Sequence, residues 1–135
     1  FVVLVDIHRN GSEEARSAQE IASSTALPLP TVSKVLQQLA RSKVIEARRG
    51  FCGGYSLARG ATDITAAAVV EAMEGPLTLT ECSDPSDTSC ADRDRCSMHG
   101  HWPTINAAVR GALAEVTLEA LALGPNALLA DQLAG

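Results

Sequence analysis

Between Ser17 and Ala58 the apolar residues change their spacing, and this change restricts the fold more than any other feature of the chain. Ser17-Ala18-Gln19-Glu20 is a capping box: the serine closes an orphan amide, the glutamate reaches back, and a short helix opens through Ile21 to about Ser24. A turn over residues 25–29 follows, and Pro30 then suits the first position of a second helix. In that helix Val32, Val35, Leu36 and Leu39 fall at i, i+3, i+4 and i+7, a buried stripe. Past Arg41-Ser42-Lys43 the period drops to two. Residues 44–48 read as a strand, the glycine-rich stretch 50–54 as a hairpin tip, and residues 55–58 as the return strand. Helix, helix and hairpin in this order predict a winged helix-turn-helix.

The rest of the chain extends that unit. With 135 residues, 46% hydrophobic and only 3% aromatic, the chain can bury one modest core built of Ala, Val, Leu and Ile, a palette suited to helices. Residues 1–9 read as the end of a buried helix closed by Asn10-Gly11; the natural start is expected upstream of Phe1. Thr65 is a candidate N-cap for a helix over 66–74 that Gly75-Pro76 stops, and residues 77–81 form a short extended lead. From Trp102 onward Ile105, Val109, Leu113 and Val116 repeat at helical spacing, with Ala108, Ala112 and Ala120 permitting close approach. A helix so long beside a small winged module has too little partner surface at home, which predicts a homodimer seam. The expected class is mainly α with a small β-hairpin wing, a winged helix-turn-helix plus a long dimerisation helix. Its regions are a DNA-binding unit at 1–61, a linking helix and lead at 62–81, a cysteine loop at 82–99, a dimerisation helix at 100–122 and a tail at 123–135.

Charge separates the two halves. The net charge is -5, yet residues 1–61 carry eight Lys and Arg against five Asp and Glu, whereas residues 62–135 carry three against eleven. A local cationic face binds phosphates even on an acidic protein. The face of the second helix opposite its apolar stripe carries Thr31, Ser33, Lys34, Gln37 and Gln38, side chains able to reach base edges and phosphates in a major groove. Arg48 and Arg49 flank the wing tip, placed for the minor groove or the backbone. A double-stranded DNA operator is the expected partner. Two half-sites on such a duplex agree with a dimer.

Cys82, Cys90, Cys96 and His99 form a C-x7-C-x5-C-x2-H loop, a set of thiolate and imidazole donors that suits zinc, copper(I) or an iron-sulfur cluster better than calcium or magnesium. The loop is rich in Ser and Asp and poor in apolar residues, so ligand binding is expected to be coupled to its ordering. Structural zinc usually takes a tight C-x2-4-C pair, which this spacing lacks. A metal-free thiol-disulfide switch uses the same cysteines. An enzyme built on Cys96 and His99 has no orienting group in view and an acidic setting unfavourable to a thiolate. Cys52 at the wing tip reads as a bystander, and His101 competes with His99 as a ligand. No transmembrane span or signal peptide is visible, which predicts a cytoplasmic protein without a membrane partner.

Several stretches together resemble the IscR-like winged-helix regulators, a group that includes the nitric-oxide sensor NsrR, the iron-responsive RirA and the regulators of the SUF iron-sulfur assembly system. The matching stretches are Pro30-Thr31-Val32-Ser33-Lys34-Val35-Leu36, Arg49-Gly50 with Gly53-Gly54-Tyr55, Ile64 through Glu74-Gly75, Thr80-Glu81-Cys82-Ser83, and Trp102 with Ile105-Asn106. The resemblance spans Phe1 to about Leu121 and is nearest to the SUF-system regulators. It implies a 2Fe-2S or 4Fe-4S cluster, the 2Fe-2S form preferred, on Cys82, Cys90 and Cys96. The histidine ligand of IscR falls at His99, while NsrR-like members use a carboxylate near the start of the other protomer. The resemblance also places a minor-groove arginine at Arg49 and implies a repressor of iron-sulfur assembly genes. Ser33-Lys34 stands where IscR has Glu-Gln, so the operator preference of IscR does not transfer.

Overall fold

The structure is a computed structural model that describes residues 1–11, 14–84, 86 and 88–125. Three helices come first: α1 (Val2–Asn10), α2 (Ala18–Thr25) and α3 (Leu29–Arg41). The hairpin β1 (Ile45–Arg48) and β2 (Gly54–Leu57) follows, then α4 (Ala66–Glu74), one turn of 3-10 helix at Glu81–Ser83, α5 (Trp102–Glu115) and α6 (Leu118–Leu123). The architecture is mainly helical with a two-stranded antiparallel wing, as the periodicities predict.

Local chemistry accounts for most element ends. Ser17 Oγ accepts from Glu20 N at 3.2 Å while Glu20 Oε2 accepts from Ser17 N at 2.7 Å, a complete capping box at the start of α2. Thr65 caps α4 by accepting from Ala68 N, and Gly75 ends that helix. α3 begins at Leu29, one residue before the expected start, so Pro30 lies at its second position, where no intrahelical amide is lost.

The core is formed by Leu4 and Ile7 of α1, Ile21 of α2, and Val32, Leu36 and Leu39 of α3, joined by Val44, Ile45, Ile64, Val69 and Leu118. Each such aliphatic side chain contributes roughly 1.5–3 kcal/mol by leaving water. In the wing, Ile45 pairs with Leu57 and Arg48 with Gly54. The wing is tied to the body through Arg16, whose N–H donates to Tyr55 O at 2.9 Å and whose carbonyl accepts from Tyr55 N at 2.7 Å. A side chain on Gly54 would place its Cβ 2.6 Å from the Arg16 carbonyl, so this pairing requires glycine there.

The single long helix expected over 100–122 is broken in two. Val116 is extended and Thr117 caps α6 by accepting from Ala120 N at 3.2 Å. Ala66 N donates to Val116 O at 2.7 Å and Leu118 N to Ile64 O at 2.8 Å, so these two residues pair with the entrance of α4 instead of continuing α5. α6 then turns back onto α1, burying Leu118 and Ala122, with Arg9 donating to the Ala122 carbonyl. Val116 and Ala120 thereby leave the proposed seam. Of the tail at 123–135, residues 126–135 lie outside the described residues.

Candidate functional site

On α3, Thr31, Lys34 and Gln37 are exposed and Ser33 is half-buried. Arg41 is exposed as well and lies seven residues beyond Lys34, two helical turns along the same face, a cation that the reading of the sequence did not include. Gln38 behaves differently. Its Nε2 donates to Met73 O at 2.5 Å and to Ala72 O at 3.5 Å, so this side chain serves the last turn of α4 and is not free for a base edge. Ser42 Oγ joins it, reaching Ala72 O at 3.3 Å. These carbonyls lack intrahelical partners because α4 ends there. Arg48 and Arg49 are exposed on the wing.

A polar knot behind α2 fixes wing and helices relative to one another. Asp6 is buried at 8% exposure and accepts from Arg16 Nη2 at 3.1 Å, Asn10 Nδ2 at 2.9 Å and Ser24 Oγ at 2.6 Å. Arg16 thus meets α1 and α2 with its side chain and the wing with its backbone. Sequence reasoning missed Asp6 and Arg16, because neither a charge within a helical stripe nor one in the turn before a helix gives a sign of its distant partner.

In the cysteine loop, Cys82 stands in the 3-10 turn beside Cys90; both are half-buried, and Cys96 is exposed. Desolvation pushes the Cys82 thiol up, and Cys90, then the charges of Cys96 and Glu81, push it further. The three thiols are a donor set whose chemistry fits a cluster or a soft metal. Among the described residues no three His, Cys, Asp or Glu side chains are gathered as a formed metal site. His99 is engaged elsewhere: its Nε2 accepts from Arg93 Nε at 2.7 Å, which holds the ring as the Nδ1–H tautomer. To ligate through Nε2 it must leave Arg93.

The loop is fastened at its lead. Asn106 of α5 donates to Leu77 O at 2.8 Å and accepts from Leu79 N at 3.0 Å, pairing with this segment as a neighbouring strand would. Arg110 donates to Glu71 Oε1 at 2.6 Å, joining α5 to α4; the arginine holds the Glu71 carboxyl below its ordinary range. No residue of α5 is buried, and Ile105 and Val109 remain 37% and 36% exposed.

A second helix with an exposed polar and cationic face, followed by an arginine-bearing hairpin tied back to the body, defines a winged helix-turn-helix DNA-binding regulator. The family model described as Rrf2, an iron-dependent transcriptional regulator, matches residues 1–123, and the chain belongs to that family. The transcriptional regulator IscR of Photorhabdus laumondii is 25% identical over 118 residues, covering 87% of this chain and 71% of its own. The structure of CymR, the global cysteine regulator of B. subtilis, aligns with a TM-score of 0.68 at 26% identity, covering 92% of this chain and 90% of its own. IscR of T. potens, at 21% identity with a TM-score of 0.64 over 87% and 75% of the two chains, shares the fold. These relatives are transcription regulators, and this chain is one as well, not an enzyme. Among the described residues no helix is long and apolar enough to cross a membrane.

Proposed function

We propose that this Rrf2-family protein is a homodimeric repressor of iron-sulfur assembly genes whose DNA affinity is set by an iron-sulfur cluster, 2Fe-2S in preference to 4Fe-4S. Cys82, Cys90 and Cys96 would hold it, with His99 as the fourth ligand. The observation that carries this reading is the thiol pair Cys82 and Cys90, side by side in a loop that also bears Cys96 and His99. The similarity to IscR supports it. When bound, the cluster supplies a redox-active centre that orders a loop otherwise poor in apolar contacts.

On the DNA side, Thr31, Ser33, Lys34 and Gln37 enter the major groove and Arg48 and Arg49 meet the minor groove or backbone. The chain's own residues supply a route between loop and helix. Asn106 ties the lead of the loop to α5, Arg110 ties α5 to α4, and Gln38 ties the end of α4 to α3. A ligand shifts such a system only by its differential affinity for two arrangements, and about 5.5 kcal/mol moves it from almost wholly one to almost wholly the other. The uncovered Ile105 and Val109 on α5 support the dimer seam.

Iron and acid-labile sulfide per protomer in anaerobically purified protein test the cofactor. Matching iron and sulfide that vanish in Cys90→Ala are expected; zinc without sulfide would make the loop structural. The Cys82–Cys90 contact specifically favours one second reading, a metal-free thiol-disulfide switch, which predicts neither iron nor zinc.

A further inference from the structure

Phe51 is fully solvent-exposed at the outer end of the wing, at 107% of its reference accessibility. The chain has only four aromatic residues, two Phe, one Trp and one Tyr, so placing one where folding gains nothing from it calls for an account. The tip that carries it is tightly built. Gly53 N donates to Gly50 O at 2.9 Å, closing a turn in which Phe51 is the first central residue, and Gly50 takes a φ of +111. A side chain on Gly53 would bring a Cβ within 2.7 Å of the Arg48 carbonyl, so the turn is wound against its own strand and presents Phe51 outward. Beside it stand Arg48 and Arg49, both exposed and, among the described residues, in no ion pair. Cations beside a single apolar side chain at a hairpin tip match what the minor groove accepts: the groove's negative potential draws the arginines, and the apolar group enters between base pairs.

We propose that Phe51 is a minor-groove wedge. It inserts between two base pairs where the wing meets the duplex and partly unstacks that step. It thereby selects a pyrimidine–purine step, the kind most easily opened, at a position that no hydrogen bond reads. The inference rests on the wing being a DNA contact, as proposed above.

The test uses the full chain and a duplex that this chain enriches from a random-sequence pool, with 2-aminopurine placed in turn at each adenine. The wild-type protein is expected to brighten the probe at one step in each half-site. Phe51→Ala should abolish that signal and weaken binding about tenfold for each half-site, the size of one lost base–aromatic stack per protomer, with an unchanged salt dependence because no charge is removed. Phe51→Leu, which keeps an apolar wedge, should retain most of both. The thermal transition of each variant should match wild type, since the tip buries nothing. In the proposed dimer Arg48→Ala with Arg49→Ala removes four cations, and should weaken binding and lower the salt slope by about four. If that double variant weakens binding while Phe51→Ala binds and brightens like wild type, the wedge is overturned and the wing contact stands. If the double variant has no effect, both fall. A change in oligomeric state for Phe51→Ala at unchanged DNA affinity would overturn the wedge in favour of a protein contact.

Discussion

The winged half of the molecule and its cysteine-bearing half are held together by different means. Around α1, α2 and α3 the side chains of Leu4, Ile7, Ile21, Leu36 and Leu39 are essentially removed from water, and a buried Asp6 paired with the half-buried Arg16 locks the wing in place. Among the described residues from Cys82 to Glu115 only Ser83 is buried: α5 contributes no core residue, and the loop relies on side-chain bonds such as Asn106 to Leu77 and Arg93 to His99. Burial fixes the winged unit before any partner arrives, whereas the cysteine-bearing half lacks the apolar area to fix itself. A ligand or a second protomer then has a half of the molecule on which to act.

The sharpest way to break this asymmetry is to remove one buried and one unburied aliphatic side chain. Leu36→Ala should destabilise the chain by about 2–5 kcal/mol in a urea titration. Val109→Ala should leave that titration nearly unmoved and weaken self-association in sedimentation instead. Equal losses from both would show that α5 belongs to the same folding core as α3. A smaller effect is expected at the join between the halves. Gln38→Ala removes the donor to the Met73 and Ala72 carbonyls and should cost about 1 kcal/mol, while reducing the difference in DNA affinity between cluster-loaded and cluster-free protein. Full retention of that difference would remove Gln38 from the route between loop and recognition helix.

The smallest effect concerns a local cap. Ser17→Ala should lower the stability of the winged half by about 1 kcal/mol. The Glu20 carboxyl is held below its ordinary value of 4.5, first by the Ser17 backbone N–H and then by the Ser17 side chain. A depressed carboxylate contributes stability that is complete above the unfolded value of 4.5 and is lost as pH falls through the lower folded value. Acid titrations of the melting temperature should therefore show a loss in this range for wild type that Glu20→Gln lacks.

What could be read from the sequence follows the same division. The capping box, the Val32–Leu39 stripe and the glycine-rich tip act within a few residues of themselves, so their spacing carried the winged fold. The break between α5 and α6 was hidden because Ile64 and Ala66, some fifty positions upstream, draw the backbone of Val116 and Leu118 away. One signal was present: Thr117 followed by Leu118-Glu119-Ala120 is an N-cap followed by a first turn with an acidic residue. Gln38 was assigned to the DNA face because it shares that side of the apolar stripe; its partners lie more than thirty residues away on α4. At the cysteine loop the residue types were legible, but the Cys82–Cys90 contact and the hold of Arg93 on His99 depend on how the loop closes.

The most direct test of cluster-controlled DNA binding is the affinity of matched cluster-loaded and cluster-free protein for one duplex enriched by the full chain, measured at fixed salt. A difference of tenfold or more that disappears in Cys90→Ala is the predicted result, about 1.4 kcal/mol or more of coupling. Equal affinity of the two forms, with iron and sulfide verified in the loaded one, would contradict the claim that the loop governs the wing and its recognition helix.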